Sequence, residues 1–314
     1  MIDLHASKRR HARRDPAKKL GLGLLAIACL LAACVPPEPE EDLIRDFDPE
    51  TTVMGAIQRA GLLRVGVPNN EALYRETGEE DQGLAADLAR EIADTLGVET
   101  DFTVAANDTL VQMVKDDEID VAFPVVPVVE KLVRTSGVSD PYFIAHQRLL
   151  VPGGAEARSL EELDGEICVF GDPETTIGPS TVAPDLEVTE ADDASDCYET
   201  GGVFDDQTLA PPAMTGLDLA LVGAALDLQG MCPPEARCLP PEVVGPGLTT
   251  AGISMVVEPG ASGWVGFVDN VLADFKSDGL WLESYNTSLE SYLGPQRAPE
   301  ITVEEAAALY PREL

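Results

Sequence analysis

Basic residues are scarce in most of this chain, and their scarcity excludes one broad class of partner. The 314 residues include 21 Lys and Arg against 56 Asp and Glu, a net charge of −35. Seven of the basic residues lie within residues 1–33, so the remaining 281 residues carry 14 basic and 54 acidic side chains, a net charge of −40. Nucleic-acid binding needs clustered Lys and Arg against phosphate. The body of the chain is therefore predicted not to bind nucleic acid.

Long apolar runs are also lacking. The apolar stretch at residues 20–33 has 14 residues, whereas a membrane-spanning helix needs roughly 20. With 45% apolar residues the chain is nevertheless able to bury a core, and its length suits two domains or two lobes.

The first 34 residues have the layout of a secretory signal, in which a basic region, a short apolar run and small residues precede a cleavage site. The run ends in Leu31-Ala32-Ala33-Cys34, which resembles the lipobox of bacterial lipoproteins. This implies a signal peptide at residues 1–33, acylation of Cys34 and anchoring to the extracytoplasmic face of the cell membrane. An ordinary signal peptide with an incidental cysteine is the alternative. Residues 34–51, acidic and rich in proline, are predicted to be an extended tether.

Four cysteines follow the tether: Cys168, Cys197, Cys232 and Cys238. An even number outside the cytoplasm predicts two disulfides, with three possible connectivities. The short, proline-containing segment from Cys232 to Cys238 favours a local bridge, which would leave Cys168 with Cys197. A zinc site is the competing interpretation, but it lacks histidine partners and CxxC spacing. We therefore predict no metal and no cofactor.

Alternating strand and helix patterns occupy the body of the chain and predict an α/β fold with a mainly parallel first sheet. The predicted helices are residues 53–61, 83–97 and 109–115, and the predicted strands are 62–68, 98–104 and 119–129.

A second set of elements begins near residue 150. It has a helical turn at 159–163, with a capping box on Ser159, and strands at 167–170, 217–222 and 252–257. A helical region at 264–293 is broken at 278–279. Two lobes joined by two crossing segments would enclose a cleft, where small ligands usually bind.

Six short segments in one order resemble the family 3 extracellular solute-binding proteins, the amino-acid-type receptors of ABC importers. The segments are residues 61–67, 83–89, 116–121, 139–142, 160–165 and 278–285. The resemblance covers residues 52–294 and implies a two-lobed, type II periplasmic-binding-protein-like fold. Lobe 1 would contain residues 52–148 and 252–294, lobe 2 residues 149–251, and residues 295–314 would form a C-terminal tail.

The resemblance also implies a function. The chain would be a monomeric lipoprotein that binds a small polar solute between its lobes and delivers it to ABC permease subunits, and it would not be an enzyme. Cys168 and Cys197 resemble the disulfide of glutamate-binding lipoproteins of Gram-positive actinobacteria.

Members of the family hold the solute's carboxylate with an arginine of lobe 1 and its ammonium with an aspartate at the end of a lobe 2 strand. Counting from Ser139 places Leu132 at the arginine position, and counting from Asp218 places Gly223 at the aspartate position. Both charged partners are therefore expected to be missing. Between residues 159 and 275 the one basic residue is Arg237, which favours a neutral or cationic solute.

Seven residues are candidates for solute contact at positions that line the cleft in the family. They are Tyr74, Arg75, Asn107, Lys131, Glu174, Thr175 and Thr176. The alternative interpretations are an ordinary half-buried core residue for Tyr74, solvated surface charges for Arg75 and Lys131, and a rim residue for Glu174.

Two further functions compete with solute import. Loss of the charged partners would suit a degenerate module acting as a sensor or protein-interaction domain. An enzyme on the same scaffold, such as a dehydratase, lacks a recognisable set of acid, base and nucleophile.

Overall fold

Two five-stranded mixed sheets, one in each lobe, form the framework of the computed structural model. The structure describes residues 46–78, 80–171, 185–191, 194–200, 204–205, 208–209, 213–232 and 238–309. Helices and strands alternate along these ranges, so the predicted α/β class is confirmed. Every helix in the described ranges falls short of the length and apolarity that a bilayer span requires.

The sheet of lobe 1 combines strands from both ends of the described chain. Its order is β2 (Glu99–Val104), β1 (Leu62–Val67), β3 (Val121–Ala122), β12 (Ala251–Val257) and β4 (Gly137–Ala145). β1 pairs in parallel with β2 and β3, whereas β12 runs antiparallel to β3 and β4. Four of the five strands therefore run in one direction, as expected for a mainly parallel sheet, and only β12, which returns from lobe 2, runs opposite to them.

The sheet of lobe 2 is also mixed. Its order is β11 (Glu242–Val244), β5 (Gln147–Val151), β10 (Ala213–Leu217), β6 (Glu166–Phe170) and β7 (Glu187–Ala191). β10, β6 and β7 are mutually parallel neighbours, and β5 runs antiparallel to β10 and β11. Two short strands, β8 (Phe204–Asp205) and β9 (Thr208–Leu209), form a separate antiparallel pair.

Ten helices flank the sheets within the described ranges. They are α1 (Val53–Ala60), α2 (Leu84–Leu96), α3 (Asn107–Lys115), α4 (Glu130–Thr135), α5 (Ala194–Thr200), α6 (Asp218–Gly230), α7 (Ser262–Ser277), α8 (Leu280–Ser288), α9 (Glu290–Leu293) and α10 (Val303–Leu309). The Thr52 hydroxyl caps α1 by accepting the Gly55 N–H at 3.0 Å. Gly97 ends α2 with a left-handed φ of 70°. Both ends lie where the sequence pattern predicts them.

Two tryptophans anchor the C-terminal helices on the sheet of lobe 1. Trp264 on α7 and Trp281 on α8 are both buried. Trp281 Nε1 donates to the Tyr142 carbonyl of β4 at 2.7 Å, and Trp264 Nε1 donates to the Asp120 carbonyl at 3.0 Å. Because each indole also satisfies its N–H, these large side chains fill the core without leaving an unpaired donor.

The chain crosses between the lobes twice, at His146 and at residues 245–250, and the two crossings are hydrogen-bonded to each other. Leu248 N–H donates to the Gln147 carbonyl at 2.8 Å, and Gln147 N–H donates to Thr249 Oγ1 at 3.2 Å. The imidazole Nδ1 of His146 lies 3.0 Å from the Thr249 carbonyl oxygen. These crossings form the connection about which the lobes would move.

The predicted strand at residues 217–222 is wrong, since β10 ends at Leu217 and α6 begins at Asp218. The sequence of α6 is apolar on nearly every face, so it has no helical periodicity, and a buried helix of this kind resembles a buried strand. The error matters because ligand-binding groups occur at the ends of strands, and the predicted strand ended at residue 222 whereas β10 ends at Leu217.

The predicted strand at 119–129 is also largely wrong. Only Val121 and Ala122 form a regular strand, and one isolated bridge joins Pro127 to Ile253. Pro124 and Pro127 lack the N–H that a ladder needs, which explains why regular pairing stops.

The capping box predicted at Ser159 does not form, because its side chain makes no capping bond to the short 3₁₀ turn Leu160–Glu162. The Glu162 carboxylate instead accepts the Arg158 N–H at 2.7 Å. The reciprocal half of the motif is therefore present one residue earlier along the chain.

The segments at both ends of the described body contact lobe 1. Phe47 packs edge-on against Phe267 of α7 with ring centroids 5.7 Å apart, and the tether predicted at residues 34–51 otherwise stays a prediction. In the C-terminal tail, α10 places Ala306 against Gly252 of β12. The tail therefore covers one face of the strands that lead to the crossings.

Candidate functional site

A buried carboxyl group lies where β10 meets α6. Asp218 is the first residue of α6, and none of its surface is exposed. Its Oδ1 accepts the His146 N–H at 3.1 Å and its own neighbour Leu219 N–H at 2.8 Å. Its Oδ2 is also buried and has no hydrogen-bond partner in the part of the chain that the structure describes. A buried carboxylate oxygen without a partner is costly and calls for a cation or a donor.

The electrostatic surroundings of Asp218 are mixed. Burial raises its pKa to about 6, while the two backbone donors and the charges of His146 and Arg148 act in the opposite direction. Arg148 lies on β5, where its Nε donates to the Gly245 carbonyl at 3.0 Å. Burial, followed by the charge of Asp218, raises the pKa of Tyr285 on α8. Asp218 thus interacts electrostatically with His146 of the crossing, with Arg148 of lobe 2 and with the Tyr285 phenol of lobe 1.

Asn70 of lobe 1 bonds to Leu219, the residue that follows Asp218 in the chain. Asn70 follows β1, is 6% exposed, and donates from Nδ2 to the Leu219 carbonyl of α6 at 2.9 Å. Its Oδ1 accepts the Ala72 N–H at 3.0 Å. The contact brings the ends of β1 and β10 together, so the site is formed by both lobes.

Asn107 has a structural partner in lobe 1. It is the first residue of α3, and its Oδ1 accepts the Val125 N–H at 2.8 Å. Val125 belongs to the irregular segment that follows β3, so Asn107 replaces a ladder partner that this segment lacks. Its Nδ2 group is the part of the side chain that this contact leaves for a solute.

Tyr74 and Arg75 also bond within lobe 1. The Tyr74 ring lies 4.8 Å from the Phe102 ring, and its hydroxyl donates to Asp81 Oδ2 at 3.2 Å. Burial and the neighbouring acidic groups raise the pKa of Tyr74 to about 12. Arg75 is exposed and bonds to Gln82 through both backbone and side chain. The predicted roles of these two residues in solute contact therefore stay predictions.

Leu132, which counting along the sequence placed at the family's arginine position, has apolar surroundings in the structure. Leu132 on α4 packs between two apolar clusters, one around Leu110 and Val256 and the other around Val138 and Ala306. Its neighbour Lys131, another candidate, is exposed. The absence of the family's arginine at Leu132 therefore stays a prediction.

Four candidate residues lie outside the described residues, namely Cys34, Glu174, Thr175 and Thr176, and so does Arg237. The four cysteines that follow the predicted tether form two disulfides. Cys168 on β6 is bonded to Cys197 on α5, and Cys232, just after α6, is bonded to Cys238. This is the pairing that a local bridge at residues 232–238 requires. The described residues contain no cluster of three or more potential metal-binding side chains.

The aspartate position deduced for Gly223 is wrong. Gly223 lies inside α6, and the acidic residue at the end of the lobe 2 strand is Asp218 itself. Sequence reasoning also missed Asn70, although Pro68-Asn69-Asn70 directly after β1 is a turn signal at a strand's carboxyl end. Asp218 could have been found from its position, because it is an acidic residue between the apolar residues of β10 and α6. Burying a carboxyl group there is unfavourable unless the group has a function.

Two α/β lobes joined by two crossings define the type II periplasmic-binding-protein fold. The chain belongs to the bacterial extracellular solute-binding proteins of family 3, whose family model matches residues 63–291. It is 24% identical over 274 residues to the ABC transporter glutamine-binding protein GlnH of Bacillus subtilis. This alignment covers 85% of this chain and 94% of that protein.

A second group of relatives is longer. The chain is 28% identical over 169 residues to the membrane-bound lytic murein transglycosylase F of Mannheimia succiniciproducens, covering 52% of this chain and 34% of that protein. It therefore spans about a third of the length of such relatives.

Solved structures share the fold. An arginine-binding protein variant from T. maritima has a TM-score of 0.56 at 20% identity, covering 77% of this chain and 99% of that one. A cysteine-binding protein from Campylobacter jejuni has a TM-score of 0.58 at 16% identity, covering 81% and 98%. At these identities the likeness establishes the fold alone.

Proposed function

We propose that the chain is a lipid-anchored solute receptor of an ABC importer, which binds a small neutral or cationic solute through an ammonium group. The solute is an amino acid or a related amine. The observation that carries the proposal is Asp218 Oδ2, a buried carboxylate oxygen without a partner in the described chain. An ammonium ion would supply the missing charge and donors in a site from which water is excluded.

The preference against anionic solutes rests on the cations of the site. The position deduced from the sequence for the family's guanidinium is Leu132, which packs among apolar side chains. The sequence from residue 159 to 275 contains one basic residue, Arg237. An anion buried without a cation would cost several kcal/mol. The charge of His146 and, after it, that of Arg148 oppose the effect of burial on Asp218, and Arg148 on β5 is the arginine that we propose as a partner for a solute carboxylate.

The setting and the transport role rest on three supports. The family is one of extracellular binding proteins, GlnH is part of an ABC transporter, and the chain begins with a lipobox-like leader ending at Cys34. Together they favour a receptor outside the cytoplasm that delivers its solute to a permease. They also favour a binding protein over an enzyme.

Matched compounds test which end of the solute is recognised. Calorimetric titration would compare arginine with agmatine, which lacks the carboxylate, and with Nα-acetylarginine, which lacks the ammonium charge. Glutamine and Nα-acetylglutamine form a second set. We expect the free amines to bind, the acetylated compounds to fail, and agmatine to bind about as well as arginine.

Two results would count against the proposal. Equal binding of free and acetylated amino acids would remove the role of the ammonium group, and silence across all amines and amino acids would remove the receptor function. Binding of arginine with rejection of agmatine would instead assign the carboxylate to a cation such as Arg148.

A second candidate function is that of a sensor module associated with the cell wall. It is favoured by the relatives that are murein transglycosylases, in which the matched region is only a third of the protein. Titration with soluble fragments from digested murein tests it. Binding of these fragments in the absence of any response to amines would support the sensor function over solute import.

A further inference from the structure

One side chain of lobe 1 reaches lobe 2 and bonds to the residue that follows Asp218. Asn70 Nδ2 donates to the Leu219 carbonyl at 2.9 Å, and both residues are buried. Asn70 follows β1 and Leu219 follows β10, and each of these strands has neighbours on both sides within its sheet. The bond therefore joins the two lobes near their centres, away from the crossings at His146 and residues 245–250.

The turn that contains Asn70 fixes the direction of its side-chain amide. Its Oδ1 accepts the Ala72 N–H at 3.0 Å, and its backbone carbonyl accepts the N–H groups of Leu73 and Tyr74 at 3.0 and 2.9 Å. Because the oxygen of the amide is already used within the turn, its NH₂ group must point away from the turn. This places a preoriented donor opposite α6, so little side-chain entropy is lost when the lobes close.

Gly223 makes room for this donor. In an α-helix the N–H of residue 223 bonds to the carbonyl of residue 219, so a group that reaches Leu219 O approaches over residue 223. A Cβ atom on Gly223 would lie 2.8 Å from Asn70 Nδ2 and 2.9 Å from Asn70 Cγ. The glycine costs about 1 kcal/mol of helix propensity, and its place in a buried helix is explained by the close approach of Asn70.

We propose that Asn70 and Leu219 form a latch that holds the two lobes closed in the absence of solute. The closed lobes bury Asp218 completely, and the latch adjoins it, since Leu219 N–H donates to Asp218 Oδ1. A solute therefore reaches Oδ2 only after the latch opens. This order of events, in which the latch opens before solute binds, rests on the proposed function. Closure of the lobes without solute does not depend on it.

The test compares lobe closure in ligand-free proteins. Wild type is unfolded in guanidinium chloride with its disulfides intact, dialysed free of solute and refolded, and its small-angle X-ray scattering is measured. Asn70→Asp keeps the acceptor for Ala72 N–H but turns an oxygen toward Leu219 O, and Gly223→Ala displaces the amide. We expect a closed wild type, and a ratio of closed to open molecules that falls about tenfold in each variant.

Matched controls separate the latch from general effects of the substitutions. Asn69→Asp adds the same charge at the exposed neighbour of Asn70. Gly266→Ala adds the same methyl group to a helix where no heavy atom lies within 4 Å. Both controls should scatter like wild type. Hydrogen exchange at residues 70–74 and 219–223 should speed up in the latch variants and stay unchanged in the controls.

Each outcome of the scattering and exchange experiments either supports the latch or overturns it. An open ligand-free wild type overturns the latch even if every variant fails to fold. Latch variants that remain as closed and as protected as wild type also overturn it. A closed wild type with opened variants supports the latch, whether or not the amine titrations succeed, so its failure is distinguishable from failure of the proposed function.

Discussion

Asp218 and His146 are joined by two hydrogen bonds. Asp218 Oδ1 accepts the His146 N–H at 3.1 Å, and Asp218 N–H donates to the His146 carbonyl at 2.7 Å. Because the chain crosses between the lobes at His146, the carboxyl group proposed to bind solute is attached to the hinge itself. A charge placed at Asp218 Oδ2 therefore acts on the group that positions one crossing.

Asp218→Asn should stabilise the ligand-free protein and weaken its binding of amines. The folded pKa of Asp218 is raised to about 6 by burial, so the stability of the neutral form is present below the unfolded value and is lost as the pH rises through about 6. At pH 7 the substitution removes a buried charge and keeps an acceptor for His146. We expect a gain of about 1–3 kcal/mol in the free energy of unfolding, measured by urea denaturation.

The matched control for this substitution is Asp274→Asn, at an exposed position on α7. It should leave both the unfolding free energy and amine binding near wild type. A loss of stability in Asp218→Asn at pH 7 would show that the ionised carboxyl group has a stabilising partner after all.

Amine binding should depend on pH through the same carboxyl group. An ammonium ion binds the ionised form, and below a pKa of about 6 the ligand-free protein must lose a proton first. We therefore expect the affinity for agmatine to fall about tenfold from pH 7 to pH 5. Calorimetry in buffers of different ionisation enthalpy would also detect release of the proton. A flat affinity over this range would contradict the role of Asp218.

The elements that could be predicted were those with a clear period or a clear stop signal. α2 has apolar residues four apart and is capped by Gly97, and β1 ends at Val67, directly before Pro68; both lie where the pattern placed them. The order of such segments was enough to identify the family, which the family model confirms over residues 63–291.

The site was harder to predict because the roles of its two central residues, Asp218 and Asn70, depend on contacts between segments that are far apart in the sequence. Asp218 lies between two apolar runs, and only the three-dimensional fold shows that one is a strand and the other a helix. Asn70 is distant from Leu219 in sequence, at a separation of 149 residues. No local sequence pattern can predict a hydrogen bond between residues so far apart in the chain.

Asp269 should make the C-terminal half of lobe 1 less stable as the pH rises. Its Oδ1 accepts the Asp140 N–H at 2.7 Å, and burial, followed by the charges of Asp140 and Glu304, raises its pKa to about 6 against the opposing effect of Lys276. The stability of its neutral form is present below the unfolded pKa near 3.8 and is lost as the pH rises through about 6.

Asp269→Asn keeps the acceptor and removes this titration. The difference in urea midpoint between variant and wild type should grow in the variant's favour from pH 4 to pH 7. Asp274→Asn, on the same helix, should show no such trend. Parallel pH profiles of Asp269→Asn and wild type would disprove the prediction.

Gly252→Ala should destabilise the packing of the C-terminal tail. An added Cβ would lie 2.7 Å from Ala306 Cβ and 3.0 Å from Pro141 Cγ, and overpacking of this kind typically costs about 1–3 kcal/mol. Ala306→Gly should relieve part of the cost in the double variant, because it removes the atom that clashes. Gly266→Ala serves as the control with open space around it. A double-mutant cycle with no coupling would rule out this contact.

The two disulfides should differ in their contribution to stability. Cys168 and Cys197 are 29 residues apart, and Cys232 and Cys238 only 6. In the chain-entropy model a bridge restricts the unfolded chain more when it closes a longer loop. Replacing both cysteines of the longer loop by alanine should cost about 4 kcal/mol in unfolding free energy, against about 2 kcal/mol for the shorter loop. Urea denaturation of the two double variants measures both values, and a larger loss for the Cys232–Cys238 pair would mean that this bridge stabilises the end of α6 by native contacts rather than by chain entropy.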